Sequence, residues 1–118
     1  MSTVLIVDAD PVERNLVMRS LSDAGYDVLE AANSVEAVQI AKLIEGDIHL
    51  AVLANPEAID TAGAITAVRT AVAVLVVADP EAEIPLTSLP GTVNLAVLRK
   101  PFSATVLLEK VRNLLGRQ

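Results

Sequence analysis

Asp8 and Asp10 stand immediately after Val4-Leu5-Ile6-Val7, a run of four apolar, mostly β-branched residues. Carboxylates are hard oxygen ligands and can also act as nucleophiles. In an open parallel sheet, sites are built where strands emerge at their C-terminal ends. The run and its acids therefore predict an acidic site at the mouth of a central strand. Asp10 has a competing use, because it precedes Pro11 at a helix start and can cap that helix. His49 lies within an apolar run with no second His or acid at ligand spacing, so it reads as a packed or edge histidine. Asp60 reads as the cap of a third helix. Neither GxGxxG after the first strand nor GxxxxGK[ST] anywhere is present.

The elements that must position these residues follow one another in alternation. After the first strand, Asp10-Pro11-Val12-Glu13 predicts a helix start in which Glu13 reaches back as in a capping box. Leu16, Val17, Leu21 and Ala24 form its expected inner stripe, and Gly25 ends it. Val28 and Leu29 anchor a short second strand. Ser34 is the expected cap of the next helix, with Val38, Ala41 and Ile44 inward and Gly46 as its stop. Ile48 to Leu53 reads as the third strand, followed by the loop Asn55-Pro56-Glu57. A helix over about Asp60 to Thr70, using Ile65 and Val68, leads to a wholly apolar fourth strand, Val72 to Val77. Leu95 to Leu98 is the fifth strand. Arg99-Lys100-Pro101-Phe102 follows, then a last helix capped by Ser103 with Leu107, Val111 and Leu114 at helical spacing and Gly116 at its end.

Between the fourth and fifth strands, Pro80, Pro85 and Pro90 recur every five residues. Proline within a helix costs about 3 kcal/mol or more, so this crossover holds at most a short or irregular helix. Alternating strands and helices at this spacing predict a parallel α/β sheet with right-handed crossovers, and one domain over residues 1–118.

Bulk properties narrow the function classes. The 118 residues carry a net charge of −6 and only two aromatics, Tyr26 and Phe102. Attraction to phosphate backbones or anionic lipid is therefore disfavoured, and there is no platform for stacking bases. The longest apolar run, Ala71 to Ala78, is too short to span a bilayer. The mean hydropathy of +0.52 fits helices covering both faces of a sheet. The absence of cysteine excludes disulfides and thiolate metal sites, fits a cytoplasmic location, and goes with an N-terminus that lacks a signal-peptide pattern.

Val4 to Asp8, then Asp47 to Val52 with Pro56 four residues on, then Lys100-Pro101-Phe102 together resemble a response-regulator receiver domain. The resemblance covers the whole chain and implies a flavodoxin-like (βα)5 three-layer sandwich with strand order 2-1-3-4-5. It also implies a usually cis Lys100-Pro101 bond. In working receivers, two adjacent acids after the first strand and an aspartate ending the third hold magnesium, and that aspartate accepts a phosphoryl group from a histidine kinase. A hydroxyl ending the fourth strand and a lysine ending the fifth bind the phosphoryl oxygens, and an aromatic on the fifth turns inward.

This chain keeps Asp8 and Lys100 from that set. Ala9 replaces the second acid, Val52 stands at the nucleophile position, Ala78 at the hydroxyl and Val97 at the aromatic. Valine cannot form an acyl phosphate, and one carboxylate makes a poor magnesium site. The expectation is a degenerate receiver that is not an enzyme and has neither catalytic residues nor a metal or cofactor. Asp8 is expected to pair with Lys100 or to cap nearby amides. Loss of two clustered acids should relieve repulsion and leave the fold indifferent to magnesium.

Functionally, the expected role is a non-enzymatic domain in two-component-type signal transduction, acting by phosphorylation-independent protein–protein contact. Its partners would be other signalling proteins, a histidine kinase or a regulator. Leu107, Leu108, Leu114 and Leu115 point around much of the last helix and cannot all face the core. A homodimer through the fifth strand and last helix follows as one expectation. The alternatives are an unconventional phosphoacceptor switch, a small-ligand binder using the vacated pocket, and a receiver piece of a larger regulator with an output domain beyond Gln118.

Overall fold

The computed structural model describes residues 2–54 and 56–116. Five parallel strands, β1 (Thr3–Val7), β2 (Asp27–Ala31), β3 (Leu50–Ala54), β4 (Ala73–Ala78) and β5 (Leu95–Arg99), form one sheet in the order β2-β1-β3-β4-β5. Four α-helices cross over between or after them: α1 (Pro11–Asp23), α2 (Ser34–Leu43), α3 (Ala58–Val68) and α4 (Ala104–Leu114). The fold is the flavodoxin-like α/β arrangement expected from the sequence. Between β4 and β5 the chain makes only a single 3-10 turn, Leu86–Ser88, flanked by the three prolines.

The sheet divides the core into two layers. On one face Val4, Ile6, Val52, Leu75 and Val77 meet Val17 and Leu21 of α1 and Leu107 and Val111 of α4. On the other, Leu5, Ala51, Leu53, Val74 and Val76 meet Ala37 and Ala41 of α2 and Ala62 and Ile65 of α3. Period-2 alternation along each strand thus feeds both layers, which is why the central strands read as unbroken apolar runs. No helix among the described residues is long and apolar enough to cross a membrane.

Helix ends refine the sequence reading. Asp10 caps α1 as expected, its carboxylate accepting from the Val12 and Glu13 amides. Ser103 caps α4 by accepting from the Val106 amide. The cap of α2 is Asn33, one residue before Ser34, and it accepts from the Glu36 amide while Glu36 accepts from the Ala32 amide. Asp60 caps nothing: α3 begins two residues earlier, and Asp60 sits exposed in its first turn. Leu16 is 64% exposed and Ala24 is also outside, so α1 buries only Val17 and Leu21 fully. Ala37 takes the inward place expected for Val38, and Val68 is 40% exposed. Gly25, Gly46 and Gly116 all have positive φ just past their helices, the conformation that favours glycine there.

Arg69 joins two crossovers. Its Nε donates to the Ala41 carbonyl at 2.8 Å, and its two terminal nitrogens donate to the carbonyls of Gly46 and Ile44. The Ala41 carbonyl is one that the last turn of α2 leaves without a helical partner, and those of Ile44 and Gly46 belong to the cap and turn that follow. His49 lies just before β3 rather than within it. Its Nδ1 accepts the Thr3 amide at 2.9 Å, tying the starts of β1 and β3 together.

Candidate functional site

β1, β3 and β5 converge at their C-terminal ends on a cavity of about 270 Å³, which Asp8, Ala9, Glu13, Ala54 and Lys100 help to line. Asp8 is the first residue beyond β1 and is only 8% exposed. Its Oδ1 accepts the Asp10 amide at 2.9 Å, so one oxygen shapes the turn into α1. Arg14 donates to the Asp8 main-chain carbonyl at 2.6 Å and pairs with Glu30 of β2 at 3.4 Å.

Lys100 does not have Asp8 as its closest partner. Its ammonium sits 2.8 Å from Glu13 Oε1 and 3.6 Å from Asp79 Oδ1. Glu13 does not serve a capping box. It turns from the first turn of α1 into the cavity, between Lys100 and the carboxyl of Asp8. The expected thinning of acids at this site is therefore partly offset, because α1 brings a second carboxylate to the same cavity. Burial is the main cause that pushes Asp8 up to about 7, aided by its hydrogen bond with Glu13. Glu13 goes the other way, its hydrogen bonds with Asp8 and Lys100 holding it below the usual carboxylate range despite burial. The same bond with Glu13 raises Lys100.

Ala9 lines the cavity and is exposed. Val52 does not line it. It pairs with Ile6 and Leu75, is 2% exposed, and packs in the α1/α4 layer. Because Leu53 pairs with Val7, the residue level with Asp8 is Ala54, and Ala54 faces the cavity. Ala78 ends β4 buried, opposite Arg99. Val97 is half-buried on the α2/α3 side of β5. The Lys100-Pro101 bond is cis. Asn55 of the following loop lies outside the described residues.

No family model matches the chain, and no curated protein does. Solved structures do. A CheY-like response regulator receiver domain protein from Methanospirillum hungatei JF-1 superposes with a TM-score of 0.79 at 26% identity, over 98% of this chain and 94% of that one. A response regulator receiver domain protein from Clostridium thermocellum reaches 0.84 at 19% identity, over 99% and 96%. This is the receiver fold. The receiver domain of the hybrid histidine kinase CckA is similar too, at 0.80 and 24% identity over 97% and 99%.

The donor set at the mouth of this receiver fold does not suit magnesium. Among the described residues no three acids or histidines are grouped to hold a metal ion. Asp8 spends one oxygen on the Asp10 amide, Glu13 is committed to Lys100, and β3 brings Leu53 and Ala54 to the cavity, neither of which has a carboxylate. A hard divalent ion demands several oxygen ligands in near-ideal geometry.

Sequence reasoning singled out Asp8 and Lys100, and the fold does bring them to one cavity. It missed Glu13, whose place three residues after a capping aspartate and two after Pro11 is indistinguishable from an ordinary helix start.

Proposed function

We propose that this domain is a signalling module of the receiver fold that acts through protein–protein contact and not by accepting a phosphoryl group. The observation that carries this reading is the absence of a carboxylate from the end of β3, with Lys100 bound to Glu13 across the cavity. Acyl phosphate formation needs a carboxylate nucleophile with cations poised to offset the developing charge. Here neither Val52 nor Ala54 can be that nucleophile, and the one lysine is neutralised from within.

Its partners are other signalling proteins, a histidine kinase or a regulator, met in the cytoplasm. Self-association would use β5 and α4. In α4, Leu107 and Leu114 are buried, Leu108 and Leu115 half-buried, and Val106 exposed, so the surplus apolar surface is modest. Neither nucleic acid nor membrane is a partner of this domain, given its acidic charge.

Incubation with acetyl phosphate and magnesium, followed by intact-mass measurement, tests the proposal. The expected mass is that of the untreated chain. Gain of one phosphoryl group would establish the unconventional phosphoacceptor instead.

A further inference from the structure

β2 closes one edge of the sheet and pairs only with β1. The Asp27 amide donates to the Ser2 carbonyl, and the Ala31 carbonyl accepts from the Asp8 amide. In a parallel ladder every second residue turns its amide and carbonyl to the same side. Asp27, Leu29 and Ala31 therefore bond to β1, and Val28 and Glu30 present their amides and carbonyls outward. Among the described residues no group bonds to either pair. An edge left open in this way is a template for an added strand.

The helix beside this edge is apolar where it overlooks it. α2 covers β1 and β2, and α3 covers β3 and β4, so one flank of α2 meets α3 and the other faces the open edge. Ala37 and Ala41 point at the sheet. With about 3.6 residues per turn and right-handed crossovers, Glu36, Ile40 and Leu43 fall on the outer flank, and Val38 and Lys42 on the flank toward α3. Glu36, Gln39, Ile40, Leu43 and Ile44 border a groove of about 430 Å³, and Leu43 is 81% exposed. Leu29 packs in the same layer from the middle of β2. A residue level with Leu29 on an added strand shares its face of the sheet, and so turns its side chain toward that groove.

Charge selects the strand. Asp27 and Glu30 are exposed on β2, and Glu36 borders the groove. Arg14, the cation beside them, is spent on the Asp8 carbonyl and on Glu30. In a chain of net charge −6, the same acids oppose a second copy of this edge and favour a basic strand. We propose that the β2 edge, with the groove along α2, docks an extended basic segment of a partner protein by strand addition. The segment pairs with the backbone of Val28 and Glu30 and seats an apolar side chain beside Leu29, Ile40 and Leu43. Its lysines or arginines lie against Asp27, Glu30 and Glu36. This docking rests on the contact-driven reading above and gives it a partner element, yet the two fail separately. Phosphoryl uptake from acetyl phosphate bears on the mouth of the sheet and not on its β2 edge.

Titration of the isotope-labelled chain with the peptide acetyl-Lys-Val-Lys-Leu-Lys-Val-Lys-amide, followed by NMR, tests this. The expected result is saturable shifts at the Val28 and Glu30 amides and the Ile40 and Leu43 methyls, with slower hydrogen exchange at those two amides. Two control peptides are expected to bind about tenfold more weakly or worse. One has glutamate for every lysine. The other is N-methylated at every residue, and so keeps the charges and side chains but has no backbone donor. Leu43→Gln, at an exposed helical position, is expected to weaken the basic peptide about fivefold, its spectrum otherwise matching the wild type. A basic peptide that leaves Val28 and Glu30 unshifted, or an N-methylated peptide that binds equally well, overturns strand addition by a partner. So do shifts of the same two amides on raising protein concentration alone, with a dimer in sedimentation, which would assign the edge to a second copy.

Discussion

The ammonium of Lys100 meets the carboxylate of Glu13 at 2.8 Å, across 87 residues of chain. One partner follows an edge strand and the other opens the first helix, so only the completed sheet brings them together. The pair also ties the site's electrostatics to the stability of the domain.

Stability is expected to fall as pH rises through the range between 3.8 and about 7. Asp8 is raised in the folded state, so across that window the folded chain holds a proton that the unfolded chain has released. Glu13 acts oppositely, its contribution being lost as pH falls below its ordinary 4.5, and that of Lys100 is lost only above 10.5. Urea unfolding as a function of pH should therefore peak near the acidic edge of this window. Asp8→Asn keeps the acceptor for the Asp10 amide without the charge, and should flatten the decline. It is expected to exceed the wild type at pH 8 by on the order of 2 kcal/mol.

Carboxylates installed on β3 should discriminate between its two candidate positions. Val52→Asp places an unpaired charge inside the α1/α4 layer and is expected to lose on the order of 3–5 kcal/mol or fail to fold. Ala54→Asp opens onto the cavity and should cost less, on the order of 1–2 kcal/mol, with the cost growing as pH rises and the clustered acids ionise. Chemical denaturation of both variants gives the comparison.

Magnesium should leave the wild type unmoved. Thermal unfolding with and without millimolar magnesium chloride is expected to agree within about 1 °C, because a ligand stabilises only by binding the folded state. The double variant Ala9→Asp with Ala54→Asp restores carboxylates on two strand ends, and its melting temperature should rise with added magnesium.

At the start of α2 the cap is Asn33, not Ser34. Asn33→Ala should cost about 1 kcal/mol and Ser34→Ala a few tenths, measured as midpoint shifts in urea.

Arg69→Ala removes the donor for three carbonyls at once. A loss of about 2 kcal/mol is expected, and Arg69→Lys should recover less than half, because one ammonium cannot reproduce the fork of a guanidinium.

The sheet was legible because a central parallel strand is buried on both faces and leaves an unbroken apolar run, as in Val4 to Val7 and Val72 to Val77. Helix ends were legible where one residue type does one job, as at Asp10, Ser103 and Gly46. Helix faces were less so. Leu16 and Val17 are equally apolar, and only the angle at which α1 meets the sheet leaves Leu16 in water. Asn33 and Ser34 are both good caps, and the choice turns on one residue of register. At the site, Asp8 stood out as a polar residue ending an apolar run, and Lys100 through the resemblance of Lys100-Pro101-Phe102 to the receiver motif. Glu13 did not, because a glutamate in a first turn already has a local explanation. Counting back from Pro56 reached Val52, whereas pairing with β1 puts Ala54 level with Asp8. Inter-strand register is set by tertiary packing and is not written in the spacing of one strand.

The crossover from β4 to β5 lacks the helix that covers the other crossovers, and has three prolines instead. A helix would hold those residues by hydrogen bonds made after folding begins. Proline restricts φ before folding begins, and so lowers the number of conformations that the denatured segment must surrender. Arg99 adds an anchor at the start, donating to the Asp79 and Ala82 carbonyls. Beside the burial of Leu89, the order of this segment therefore draws on the unfolded chain's limited freedom, and substituting Pro85 or Pro90 would loosen it while leaving the strand pairing of the sheet intact.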